Sequence, residues 1–238
     1  MNLDPTIAVV GAGTALVLGA MVALALSTRG IRRERLDEAA RRHGWTLHSA
    51  DDPGGTTFTL SPADRAWRIE VRARTARSGP GTSPATWSSG GSFTRWSAAS
   101  PALDAGLLAV RPGAIPPQAV SLGGGSGPLR ALLARALSEI AGGDPGPLDT
   151  LAVAPTGDPA FDGRFAVIAS DPSLVARWLT PPVRAALAHW RGPGEGPAML
   201  LSRNGIRLAM PDRWTDDPGT LGALADLGER LRVATAGR

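Results

Sequence analysis

The chain has 238 residues, with 25 basic residues that are all Arg, 21 acidic residues and a formal net charge of +4. It contains no Cys, Lys or Tyr. That excludes disulfides, thiol nucleophiles and zinc–thiolate sites, and it removes Schiff-base, P-loop and kinase lysines together. Residues 29–42 hold six Arg against three acids, while the remainder is nearly balanced and carries no nucleic-acid footprint.

Residues 7–26 read IAVVGAGTALVLGAMVALAL, with no charge, amide or aromatic. At about 1.5 Å per residue a helix of this length covers roughly 30 Å, a bilayer core. A transmembrane helix is predicted here, started by Asp4-Pro5 as cap and first-turn proline. No basic residue precedes the run, which argues against a cleaved signal peptide. Arg29, Arg32, Arg33 and Arg35 follow it, so the positive-inside rule predicts a single-pass anchor in the cell (inner) membrane, N-terminus outside and the bulk of the chain cytoplasmic. The lipid bilayer is the first expected partner, and those four arginines are the expected membrane-surface residues. Ala15, Gly19 and Ala23 fall four apart and offer a face for self-association. The expected division is an anchor over 1–27, an Arg-rich juxtamembrane helix over 28–44 and a cytosolic domain over 45–238, with a subdomain split near 112–127.

Leu36, Ala39, Ala40 and His43 share one face of the helix predicted before Gly44. Short strands are predicted at Trp45–His48 and Thr56–Leu60. Residues 66–74 give the clearest strand signal: Trp67, Ile69, Val71 and Ala73 alternate with Arg68, Glu70, Arg72 and Arg74. One face is packed, and the other is wet, with charges that pair across strands. Residues 75–91 form a long polar connection, predicted to be a mobile loop. Strands follow at Phe93–Trp96 and over the apolar run Gly106–Arg111.

Gly123, Gly124, Gly125, Ser126 and Gly127 then lead into a predicted helix over 128–141. A Gly-rich loop before a helix can cradle a phosphate through its backbone N–H groups. This one lacks the Walker lysine, the dinucleotide spacing and a strand directly before it, so it ranks as a weak anion site beside the plainer reading of a linker. Strands are predicted at Leu148–Val153 and Arg164–Ala169. Asp171-Pro172 and Thr180-Pro181 start helices. Asn204-Gly205 marks a hairpin with a primed turn, and a helix closes the chain from Pro218 to Val233.

The order of these features resembles a family of uncharacterised bacterial single-pass membrane proteins with one cytosolic domain of unknown function. The resemblance rests on Gly44-Trp45, the strand Trp67–Arg74, Phe161-Asp162-Gly163-Arg164-Phe165, Asp171-Pro172 and Leu179-Thr180-Pro181. It implies architecture and location and brings no activity with it. The glycines from Gly123 to Gly127 depart from its pattern.

Chemistry is sparse. The three histidines, His43, His48 and His189, form no metal-binding motif, and no nucleophile elbow is present. No catalytic residue, cofactor or metal is assigned. The fold class expected is α+β, an antiparallel sheet with packed helices behind one N-terminal transmembrane helix. Three functions compete: a non-catalytic interaction or scaffolding module at the inner membrane with a protein partner, a lipid-surface sensor working through the juxtamembrane arginines, or an enzyme without a recognisable motif. A concave site joining His48 or His189 to a buried carboxylate would favour the enzyme.

Overall fold

The computed structural model describes residues 30–52, 55–74, 92–99, 106–113, 150–210 and 214–236. Helix α1 covers 30–43. It ends at Gly44, whose φ of 69° allows the Trp45 N–H to reach back to the Ala40 carbonyl at 2.8 Å. That is the left-handed helix stop that glycine provides at no steric cost. Four strands follow: β1 (Thr46–Asp52), β2 (Gly55–Ser61), β3 (Arg68–Arg74) and β4 (Phe93–Ala98). After them come β5 (Leu107–Pro112), β6 (Ala152–Val153), the short helix α2 (Pro159–Asp162) and β7 (Phe165–Ala169). The chain continues through α3 (Ser173–Trp178), α4 (Pro181–Ala188), β8 (Ala198–Ser202), β9 (Gly205–Ala209) and α5 (Pro218–Ala236).

The nine described strands make one sheet in the order β1-β2-β3-β4-β9-β8-β5-β7-β6, and each neighbouring pair is antiparallel. Strands from both sides of residues 112–127 therefore share a single sheet. The register explains the core. Leu47, Leu60, Ile69, Trp96, Leu208 and Met199 are successive cross-strand partners and point to one face. The helices bury that face, with Leu36, Ala39, Leu221, Leu224 and Leu231 at 0% exposure. Helix α1 is thus part of the core, and its predicted apolar face is what docks it. At the centre, Gly228 of α5 lies so close to Trp96 that a Cβ there would sit 2.2 Å from its ring. Asp217 caps α5, accepting from the Thr220 N–H and hydroxyl at 2.7 Å each, and Pro218 takes the first helical position.

The two halves of the sheet differ on the other face. Along β5, β7 and β8, Leu107, Ala109, Ile168 and Leu200 are buried as well. Strands buried on both sides read as unbroken apolar runs, as GLLAVR, RFAVIA and AMLL do. Along β1–β4 and β9 this face carries polar and charged residues, so the sequence there alternates.

Two expectations are corrected. The expected fold class and localisation placed a transmembrane helix ahead of the domain and a single pass in the inner membrane. Among the described residues no helix is long and apolar enough to cross a membrane. The described helices are amphipathic: α1 has Arg32, Arg33 and Arg35 beside its buried stripe, and α5 has Asp226, Glu229 and Arg230. Residues 7–26, including Ala15, Gly19 and Ala23, lie outside the described residues, as do the loop 75–91 and the helix expected over 128–141. The fold class of the described chain is one antiparallel sheet with helices on it, and the membrane placement is withdrawn. The β8–β9 hairpin is also not of the primed type. Arg203 and Asn204 keep negative φ, and the positive φ falls on Gly205 at 99°. That is the pattern of a type I turn followed by a glycine bulge.

Candidate functional site

The charged alternation of β3 leads to the site. Arg68 and Glu70 project from the sheet face opposite the helices, and the register adds residues the sequence had scattered. Arg68 partners Ser97, which partners Arg207. In the neighbouring row His48 partners Thr59, Thr59 partners Glu70, and Glu70 partners Arg95. Two arginines from neighbouring strands thus pair with one carboxylate, whose charge also acts on Arg207 on a third strand. Arg68 Nε lies 3.0 Å from Glu70 Oε1, and Arg95 Nη1 lies 3.8 Å from Glu70 Oε2. Arg207 makes no ion pair among the described residues.

The charges strain one another. Burial pushes the Arg95 guanidinium below its ordinary value, Glu70 opposes the shift, and Arg207 and Arg68 add to it. Burial also lowers Arg207, against Glu70 and with Arg68. The guanidiniums of Arg68, Arg95 and Arg207 act against one another, so a further anion at this spot would relieve that repulsion.

Beside this cluster the face is hollowed into an open concavity of about 540 Å³. Arg65, Arg68 and Arg207 line it, together with His48, Thr59 and Ser61. Ser97 and Asn204 add to its polar wall, and among the described residues its apolar side chains are three alanines. Among the described residues the lining holds no Asp or Glu. Arg65 reaches it from the β2–β3 loop with a φ of 54°, a left-handed conformation that costs a non-glycine residue energy. Its N–H donates to the Pro62 carbonyl at 3.0 Å, which closes the turn that presents the side chain.

A second concavity, of about 660 Å³, lies between α4 and α5. His189, Glu229 and Val233 line it. Glu229 is held by Arg232 and is 39% exposed, so it offers His189 no buried carboxylate. Near His48 the charged neighbours are arginines. Among the described residues no group of three His, Cys, Asp or Glu is placed to hold a metal ion.

The residues singled out in the sequence fall elsewhere. Gly123, Gly124, Gly125, Ser126, Gly127 and Arg29 lie outside the described residues. Arg32 stacks over the Trp214 ring at 4.2 Å, Arg33 lies 3.9 Å from Asp37, and Arg35 lies 3.4 Å from Asp216. Arg32 and Arg35 thereby tie α1 to the segment that leads into α5. The alternation of Arg68 and Glu70 was legible, whereas Arg95 and Arg207 had only the same two-residue alternation in TRWS and GIRL as a signal. Nothing in the sequence put them beside β3.

The class defined by this fold and face is an α+β domain whose described residues place helices on one face of a large antiparallel sheet and a basic concavity on the other. No family model matches the chain, and no curated protein matches it. Among solved structures, it is similar to the crystal structure of the mycobacterial trehalose monomycolate transport factor A, TtfA, with a TM-score of 0.48 and 12% identity, over 87% of this chain and 94% of that one. A likeness of this degree says nothing about what this chain does.

Proposed function

We propose that the chain is a non-catalytic interaction module whose contact surface is the polar sheet face of β1–β4 and β9. The observation that carries this reading is the open concavity lined by Arg65, Arg68 and Arg207 and by neutral hydrogen-bonding groups. Catalytic acid–base work pairs a titratable group with an oriented partner inside a closed, water-poor site. Here the histidine faces cations and hydroxyls on an open surface. Preformed guanidiniums on a rigid sheet suit recognition, because the backbone ladder holds their roots fixed and little order is lost on contact.

The test is a photo-crosslinking residue at Ser97 of the full chain, expressed in its own cells. Discrete protein adducts should form there, should vanish with Arg207→Glu, and should not form from the exposed position Ala176 on α3. Absence of Ser97 adducts, or their persistence with Arg207→Glu, refutes the reading.

A further inference from the structure

We propose that this concavity recognises an acidic peptide segment of a partner protein, read by Arg68 and Arg207 as a pair. The inference rests on the interaction-module reading and adds the chemistry of the partner.

Arg65, Arg68 and Arg207 line the hollow, Arg68 and Arg95 pair with Glu70 beside it, and the lining has no acid among the described residues. The surface is therefore complementary to negative charge. Arg is the side chain suited to planar carboxylates, because its rigid fork gives two parallel hydrogen bonds.

The shape then selects the source of that charge. A small-molecule site is usually a mainly apolar cleft that encloses its ligand. This hollow is half open, and among the described residues its apolar side chains are alanines alone. It is also built on strands and strand connections: Arg68, Ser97 and Arg207 lie on β3, β4 and β9, with Arg65 and Asn204 in the β2–β3 and β8–β9 loops. Among the described residues no helix N-terminus, the usual cradle for a phosphate, lines it, and no acidic cluster stands ready to hold a bridging metal ion. A chain laid across the strands needs none of these.

The spacing fits such a chain. Arg68 and Arg207 sit two strand spacings apart, roughly 10 Å between their backbones. A peptide in the polyproline II conformation, with three residues per turn, brings carboxylates three residues apart to one face at about 9 Å, close to that separation. Ser97 between the arginines, with Thr59 and Asn204 near them, can meet the peptide backbone.

The experiment uses the full chain and a fluorescein-labelled octaglutamate peptide, followed by anisotropy, with octaglutamine as the neutral control. Octaglutamate should bind and octaglutamine should not. Arg68→Gln and Arg207→Gln should each weaken binding about tenfold, the worth of one charge-assisted contact. Arg207→Lys should retain part of the affinity, since it keeps the charge and loses the fork. Raising the salt from about 0.05 to about 0.3 M should weaken binding several-fold, because the screening length shortens. Thermal melts check folding, and Arg68 is a safe position because its side chain is 58% exposed.

Equal binding of the two peptides overturns the proposal, as does octaglutamate binding that ignores both arginines. Binding of vesicles made of equal parts phosphatidylglycerol and phosphatidylcholine, lost with Arg207→Gln while octaglutamate does not bind, also overturns it in favour of a lipid headgroup. If Ser97 adducts form in cells but octaglutamate fails, the acidic-peptide inference falls alone. If no Ser97 adduct forms, the interaction reading beneath it falls.

Discussion

Replacing Gly228 by Ala tests how the sheet and α5 are joined. In an exposed helix interior this change stabilises by about 1 kcal/mol, because Ala is the better helix former. Here the new methyl would lie 2.2 Å from Trp96 Cε2 and 2.4 Å from Cδ2. Ordinary contact starts near 3.4 Å, so the ring or the helix must move by roughly 1 Å. The ring has no free side. It is fully buried, with Trp67 at 6.3 Å and Ile69 and Leu208 as its cross-strand partners. Overpacking of this kind costs about 3 kcal/mol, the upper part of its usual range, which leaves a net loss of about 2 kcal/mol. For a chain of this size that lowers Tm by roughly 4–8 °C. Gly222→Ala on the same helix is the control. Its methyl would meet His43 at 2.8 Å, but that side chain is exposed at the end of α1 and can swing away. The move gives up the His43–Trp45 stack, with centroids 4.5 Å apart. At about 1 kcal/mol that loss offsets the helix gain, so the variant should be near neutral. Urea unfolding followed by tryptophan fluorescence, with thermal melts, reads both variants. A Gly228→Ala chain as stable as wild type, or more so, would show that α5 does not press on Trp96 as described.

Further outcomes follow from other contacts. Leu36→Ala should cost about 2–5 kcal/mol, because Leu36 is fully buried under α1, and a chain beginning at Trp45 should unfold far more readily than one keeping 30–44. Asp217→Ala should cost about 1 kcal/mol near neutral pH through loss of the α5 cap. The Thr220 hydroxyl and N–H hold the Asp217 carboxyl below its ordinary value. Its contribution is therefore complete above the unfolded carboxylate value and fades as pH falls through the lower folded one, so the gap to wild type should close below about pH 4 in pH-dependent melts. Asp162 accepts from the Thr156 N–H at 2.9 Å, the Thr156 hydroxyl at 2.8 Å and the Gly157 N–H at 3.1 Å, so Asp162→Ala should destabilise by about 1–3 kcal/mol in the same urea assay. Arg65→Gly relieves a left-handed residue and should leave Tm equal or higher while weakening octaglutamate binding.

Local chemistry is written in consecutive residues, and the sequence determined it. Gly44 stopped α1, Asp217-Pro218 started α5, and the period-two alternation of RIEVRAR made β3 a strand with one dry and one charged face. The apolar run GLLAVR announced a buried strand and RFAVIA a strand, and the fold buries both on each face. Leu36, Ala39 and Ala40 declared a helix face that had to be covered. The sequence did not say by what, and the charge of residues 29–42 suggested a membrane surface where the structure pairs Arg35 with Asp216 and seats Arg32 on Trp214. Strand order was likewise beyond reach. β4 pairs with β9 through a register between distant segments, and no local rule chooses that neighbour over β5. The consequence is the site itself: Arg68, Arg95 and Arg207 are ordinary wet-face residues on three separate strands until the sheet aligns them. Pairing across long separations is decided by the burial of Ile69, Trp96 and Leu208 on the opposite face. It is the hydrophobic side of the sheet that fixes which charges meet on the polar one.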